Sequence, residues 1–328
     1  MKIFRVILCF ITLACFTIGV CFSGAWQKGK SLNLTPITYQ GIIKVWHIDT
    51  FEGGVGSRKQ FLLDCGVAFE KKHKGVLIMV TNHTIFSAEE NFNKGVYPDL
   101  ISYGVGFNLG NVSKIKTGKN LSLCTIGDKE YASVWCKGVY FLIENENYKG
   151  KDNLSLTVSK SEYTNPLVAI MNNEKKFNIV KTLAPLDAYI NFVNGNSKYL
   201  LGTQRDIVRL SSRGFQYKAQ PLQDFSDLNQ FISVVSDSEE KRYYSEQFIK
   251  HLIEKENQEK LKNISMLSAF YSVENDNENL KKVNGSKIEK GLSPFIKKEM
   301  IKELYSLSKE YLEKRENETQ IKIKNLLS

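Results

Sequence analysis

The stretch Ile42 to Phe69 reads IIKVWHIDTFEGGVGSRKQFLLDCGVAF, and its pattern changes twice. IIKVWHI suits a buried strand, DTFEGGVG is a loop with paired glycines, and Phe61, Leu62, Cys65, Val67, Ala68 and Phe69 then recur near helical spacing. The apolar run Val76-Leu77-Ile78-Met79-Val80 follows as a second strand. Ile42–Val80 therefore predicts one β-α-β unit with parallel strands, which commits the chain to layered α/β architecture. In such folds the loop between strand and helix turns backbone N–H groups outward and is where ligands bind. The loop at Asp49–Gly56 could thus hold a cofactor, a substrate or nothing.

The pattern continues. Phe86–Asn93 reads as a short helix and Pro98–Gly104 as a third strand ending in a glycine turn. Tyr131–Glu144 (YASVWCKGVYFLIE) is a long β-rich run broken at Gly138, suited to crossing between two lobes. A second α/β half follows, with strands expected at Pro166–Met171, Lys198–Leu201 and Phe231–Val235 and helices at Leu186–Val193 and Ile207–Ser212. From Ser238 helix dominates. Val273–Ile288 reads as a polar loop, and Ser293-Pro294 starts a last helical stretch that is expected to fray past Glu313.

Before all this, Lys2 and Arg5 flank an almost wholly apolar run, Val6–Cys21, and Ser23-Gly24-Ala25 supplies a small-residue cleavage site. That layout predicts a signal peptide over residues 1–25 and an exported, cell-surface or secreted protein. An uncleaved membrane anchor and lipidation at Cys15 or Cys21 are the alternatives. The formal charge, +10, falls to +8 once Lys2 and Arg5 are removed. The excess is spread along the chain without an aromatic-interleaved basic block, so no nucleic-acid partner is expected. Cys65, Cys124 and Cys136 remain, an odd count that denies a complete disulfide framework. Cys65 reads as a core residue, and Cys124 and Cys136 lie on neighbouring strand-like segments where they could pair.

Chemistry is sparse. The four histidines, His47, His73, His83 and His251, form no metal-spacing pair, and there is no G-x-S-x-G elbow. The Gly53–Gly56 loop lacks both phosphate-binding glycine orders, so no cofactor is expected. Paired carboxylates at Asp49 and Glu52 leave a hydrolase conceivable, but binding is the favoured mechanism and an enzyme is not expected.

Several segments, taken in order, resemble the extracellular solute-binding proteins of ABC importers, in the bilobal class with two crossover strands. The likeness rests on VWHIDTFEGGVGSR (Val45–Arg58), YPDLISYG (Tyr97–Gly104), VWCKGVY (Val134–Tyr140), YLLGTQRDIVRLSSRG (Tyr199–Gly214), PLQDFSDLNQFISVVS (Pro221–Ser236) and the segment Phe248–Phe270. The tail beyond Val273 has no part in it, and a clean lipobox is missing. The resemblance implies a type II periplasmic-binding-protein-like fold, with two α/β lobes joined by crossover strands and a helical C-terminal region. It divides the chain into a first lobe over 38–133, a second over 134–230, a return to the first over 231–270, and a polar linker and C-terminal helix packed on the second lobe over 271–328. It also implies a monomeric receptor that closes on a small solute by hinge motion and presents it to an ABC permease. Carbohydrate is the first ligand class, an anionic or amino-acid-like solute the second, and a sensor or docking module on the same fold the alternative role.

The cleft it implies would take Asp49, Thr50, Phe51 and Glu52 from the first loop, Tyr103 from the third strand, Trp135 from the crossover, and Thr203, Gln204 and Arg205 from the second lobe. Asp49, Glu52 and Gln204 offer partners for sugar hydroxyls; Phe51, Tyr103 and Trp135 offer stacking faces; Arg205 could clamp an anion. Each has a structural reading beside it. Asp49 or Thr50 could cap the helix, with Ser57 as a rival cap. Tyr103 and Trp135 could pack in the core, and Arg205 could pair with Asp206 or Asp224. Trp46 and His47 read as buried strand residues.

Overall fold

The computed structural model describes residues 39–107, 109–110, 112–119, 121–283 and 290–327. The chain divides into two units, Met1–Gln40 and Gly41–Ser328, and the fold described is that of the second. The expected signal peptide, with Cys15 and Cys21, lies outside the described residues.

The opening β-α-β unit is present. β1 (Gly41–Ile48) pairs in parallel with β2 (Val76–His83), and α1 (Arg58–Lys72) joins them. Ser57 caps α1, its side chain accepting the Gln60 N–H at 3.1 Å. The cap is therefore neither Asp49 nor Thr50, and both are left to other work. α2 (Ile85–Asn93) begins with a reciprocal capping box between Thr84 and Ser87. β3 (Leu100–Tyr103) adds to β1 in parallel, and a small hairpin, β4 (Thr125–Ile126) with β5 (Lys129–Glu130), precedes β6 (Ser133–Lys137).

The chain then leaves this layer. Across Gly138-Val139 it enters a second sheet at β7 (Tyr140–Asn145), followed by β8 (Ser155–Ser159), α3 (Pro166–Ala169), β9 (Asn178–Leu183), α4 (Pro185–Val193), β10 (Tyr199–Thr203), α5 (Gln204–Ser212) and β11 (Tyr217–Leu222). It crosses back to the first sheet with β12 (Asn229–Val234) and continues through α6 (Glu239–Leu252), α7 (Lys255–Glu259), α8 (Glu278–Lys281), α9 (Lys298–Lys314) and α10 (Asn317–Leu327). The strand orders are β2-β1-β3-β12-β6 and β11-β7-β10-β8-β9. Both sheets keep a parallel trio, β2-β1-β3 and β10-β8-β9, and gain antiparallel strands on one side. The fold is α/β with two lobes and two crossovers.

Burial follows position. β3, β10 and β12 are buried along their whole length, as central strands covered on both faces must be, whereas the edge strand β2 begins by alternating buried and exposed residues. The sequence reading did not anticipate β8, β11 or the β4–β5 hairpin, and four further details differ from it. Pro166–Met171, expected as a strand, carries the helix α3, because Pro166 cannot donate to a ladder but fits the first turn of a helix. β9 is also unanticipated; it lies at a sheet edge, is mostly exposed, and its Ile179, Val180 and Leu183 do not alternate with polar residues, which hides the strand signal. The polar stretch after Val273 contains α8, and its Leu280 and Val283 are buried with Phe192, Leu200 and Leu210 in the second-lobe core. Two such burials contribute about 3–6 kcal/mol gross, enough to dock this segment. Past Glu313 the chain does not fray: α9 stops at Arg315 (φ 59°), and α10 then buries Thr319 and Ile323.

Cys65, Cys124 and Cys136 are all free and buried, so the disulfide between Cys124 and Cys136 is not formed. Burial pushes the Cys65 thiol up to about 12, leaving it inert at neutral pH.

Candidate functional site

The C-terminal ends of the parallel strands in each sheet deliver the site. The loop Asp49–Gly56 follows β1, and the turn into α5 follows β10. These two segments meet. Glu52, on the first lobe, receives Arg209 in a fork, with Nη1 and Nη2 each 3.3 Å from a carboxylate oxygen, and Arg205 Nε lies 3.5 Å away. Arg205 and Arg209 are four residues apart and so share a face of α5. All three side chains are partly exposed, between 21% and 31%, so the cluster opens to water.

Gln204 enters the junction from the second lobe and is fully buried. Its Oε1 accepts the Val139 N–H at 3.0 Å and its Nε2 donates toward Met266 Sδ at 3.4 Å. The side chain is held between Gly53 and Gly138, where an added Cβ would approach Nε2 to 3.1 and 3.0 Å. Glycine at both positions lets one amide span loop and crossover.

The first-lobe half is a closed polar network. Ser102 Oγ accepts Trp135 Nε1–H at 2.9 Å and Gln230 Nε2–H at 3.1 Å, so its own hydroxyl donates to His47 Nδ1 at 3.0 Å. His47 must then carry its proton on Nε2, which donates to Asp49 Oδ1 at 3.0 Å. Arg58 completes the chain, with Nη2 at 2.6 Å from Asp49 Oδ1 and 2.5 Å from the Phe51 carbonyl, and its guanidinium 4.2 Å from the Phe51 ring centre. Burial opposes the charge on Asp49, but the His47 hydrogen bond and Arg58 outweigh it and hold the carboxyl at about 2. Burial in turn lowers His47 below its ordinary range and keeps it neutral. Ser102, His47 and Asp49 thus form a serine–histidine–carboxylate chain, yet Ser102 Oγ is buried with its lone pairs engaged. It has no free direction from which to attack a substrate.

The second-lobe half is less saturated. Thr203 caps α5, and Asp206 Oδ2 returns the capping box by accepting the Thr203 N–H at 2.9 Å. Asp206 Oδ1 and Arg205 Nε are buried without a hydrogen bond among the described residues, as is Thr50 Oγ1 on the opposite lobe. Burial pushes Asp206 up to about 6, against the Thr203 N–H and the nearby Arg209 charge. Behind the junction, Asp227 on the returning crossover accepts Tyr140 O–H at 2.6 Å and Asn165 N–H at 2.5 Å, and burial raises it to about 6 as well.

The residues singled out in the sequence therefore divide. Asp49 and Glu52 keep exposed surface, as does Arg205, and Glu52 and Arg205 lie together across the lobes. Thr50, Phe51, Thr203 and Gln204 come to the same junction but are buried there. Tyr103 and Trp135 offer no surface: Tyr103 O–H lies 3.0 Å from Ser233 Oγ, and Trp135 stacks on Phe61. The sequence reading missed Arg58, Ser102, Asp206, Arg209 and Gln230. Arg209 had a visible signal in its four-residue spacing from Arg205; Ser102 and Gln230 act through contacts more than 50 residues apart, Asp206 by burial, and Arg58 through a turn back to Asp49 and Phe51 that no local pattern marks. A separate groove of about 290 Å³ lies between α1 and α7, but its Gln60–Asp64 and Lys260–Asn257 pairs satisfy one another.

No family model and no curated protein sequence matches the chain. Solved structures do. The sugar-binding protein MalE from Xanthomonas citri is 12% identical, over 87% of this chain and 95% of that one, with a TM-score of 0.59. The GacH receptor of Streptomyces glaucescens, solved unliganded and with acarbose, is 14% identical over 88% and 99%, with a TM-score of 0.57. The substrate-binding protein Lmo0181 from Listeria monocytogenes, in complex with cycloalternan, is 12% identical over 88% and 97%, with a TM-score of 0.54. The fold is that of ABC-importer solute-binding proteins. Within that solute-binding fold, the junction of Glu52 with Arg205 and Arg209 occupies the seam between the lobes. Among the described residues, no helix is long and apolar enough to cross a membrane.

Proposed function

We propose that this chain is an extracytoplasmic receptor that captures a saccharide between its lobes and presents it to an ABC permease. The fold supports the receptor role, and the saccharides bound by proteins of similar structure support the ligand class. The observation that carries the reading is the seam itself. Strand C-termini of both lobes converge on one cluster of hydrogen-bonding side chains, Glu52 facing Arg205 and Arg209. A carboxylate between two guanidiniums presents acceptors and donors together, which suits hydroxyl pairs on adjacent sugar carbons. Because these partners sit on different lobes, a bridging ligand favours the closed form by contacts it cannot make with either lobe alone. On this reading Asp49–Glu52 and Thr203–Arg205 are the two ligand-facing segments. The first lobe comprises the residues before the crossover and the return after it, and the C-terminal helices belong with the second.

The arginine pair also favours a second reading, an anionic solute that takes the place of Glu52. A thermal-shift screen with neutral saccharides, uronic acids, amino acids and oxyanions separates the two. Neutral saccharides are expected to raise the midpoint. A rise with oxyanions or amino acids alone overturns the saccharide reading.

A further inference from the structure

Phe51, Tyr103 and Trp135 are buried, so none of them presents a ring face at the cleft. A saccharide receptor needs such a face, because the C–H side of a pyranose is apolar and packs on aromatic rings. We infer that Phe86 supplies it; this inference rests on the saccharide reading above.

Three observations converge on Phe86. It is 75% exposed, the most exposed large apolar side chain among the described residues. It is the second residue of α2, directly after β2, and β2 runs parallel to β1, so Phe86 stands at the same sheet edge as the Glu52 loop. The two other exposed aromatics lie elsewhere: Tyr97 precedes β3 at the opposite end of that strand and stacks on Phe92, and Tyr243 sits on α6 against Tyr244. The capping box at Thr84 and Ser87 fixes the first turn of α2, so the ring is held out by a well-formed helix start.

The neighbours of Phe86 give the face its polar edge. Glu89, one turn further on the same side of α2, pairs with Lys298 at 2.5 Å. The Lys298 ammonium lies 5.6 Å from the Tyr163 ring, and Tyr163 packs directly on Gly106, just beyond β3. Tyr163 follows β8 in the second lobe. The ends of β3 and β8 therefore meet here, as the ends of β1 and β10 meet at Glu52 and Arg205. A sugar ring lying on Phe86 would have Glu89 and Lys298 within reach of its hydroxyls, an acceptor and a donor at the rim of an apolar face. The class of ligand is a pyranoside with one unsubstituted ring face.

The test is a glycan array of neutral and acidic oligosaccharides, probed with the wild-type protein, Phe86→Ala and Phe86→Trp. Affinity for each captured glycan is then measured by titration. Phe86→Ala is expected to weaken binding about tenfold, the scale of one lost aromatic stacking surface, with an unchanged thermal midpoint because the side chain is exposed. Phe86→Trp is expected to keep affinity and to shift its emission to shorter wavelength on binding. Unchanged affinity in Phe86→Ala overturns the assignment and leaves the saccharide reading standing. Capture of no glycan by the wild-type protein overturns the saccharide reading and this assignment with it.

Discussion

On the first lobe, His47, Asp49, Arg58, Ser102, Trp135 and Gln230 bond to one another. On the second, Arg205 and Arg209 share the Glu52 carboxylate from across the seam, Asp206 lies beside Arg209, and among the described residues Arg205 Nε and Asp206 Oδ1 remain without a hydrogen bond. The titration of one aspartate in each half expresses the contrast. Asp49 is partly exposed but charge-paired and sits at about 2; Asp206 is buried beside an incompletely satisfied pair and sits at about 6. A saturated network is rigid, because any displacement strands a buried group at a cost of about 1–3 kcal/mol. An unsaturated cluster can exchange partners. The first lobe therefore presents a fixed surface, and the second supplies groups able to exchange partners.

The largest expected effect breaks the saturated half. Arg58→Met removes the Asp49 partner, the Phe51 carbonyl bond and the Gln230 contact at once, and should cost about 3–5 kcal/mol in urea unfolding. A loss below 1 kcal/mol would mean that the network is not what holds the loop.

The next effect concerns pH. Asp206 and Asp227 have folded values near 6, above the ordinary 3.8. Each therefore contributes stability that is full below about pH 4 and is lost as pH rises through 6, about 3 kcal/mol apiece. Asp49 acts in the opposite sense: its contribution is present above about pH 4 and is lost as pH falls toward 2. Asp206→Asn should flatten the decline between pH 4 and 6 without touching the acid limb. A variant with the wild-type profile would show that Asp206 is not buried in solution.

Glu52→Gln should matter least to folding, under about 1 kcal/mol, because the pair is partly exposed. Its effect should appear in lobe closure instead, as a larger radius of gyration of the unliganded protein in small-angle scattering. An equal radius would remove Glu52 from the closing contacts.

How much of this was legible in the sequence follows the range of the interaction involved. The opening β-α-β unit was readable because its apolar periodicity lies within 40 residues. The break at Gly138 was readable because glycine interrupts an otherwise continuous β pattern. The loop Asp49–Gly56 and the turn at Thr203–Arg205 were found as strand ends. Their meeting at Glu52 and Arg209 joins residues 157 apart, and no local pattern announces it. The aromatic candidates illustrate the opposite difficulty. Trp135 and Tyr103 have sequence neighbours suited to a cleft, but exposure is decided by what packs over them, here Phe61, Phe107 and Phe231. Phe86 carried no signal beyond opening a short helix; only the fold sets it at a strand end with its ring in water.

The claim that the site is shared between the lobes is tested most directly by hydrogen exchange, with and without the saccharide that gives the largest thermal shift. Slower amide exchange is expected in both Asp49–Gly56 and Thr203–Leu210 on binding. Protection confined to one lobe, or centred on the groove between α1 and α7, would contradict it.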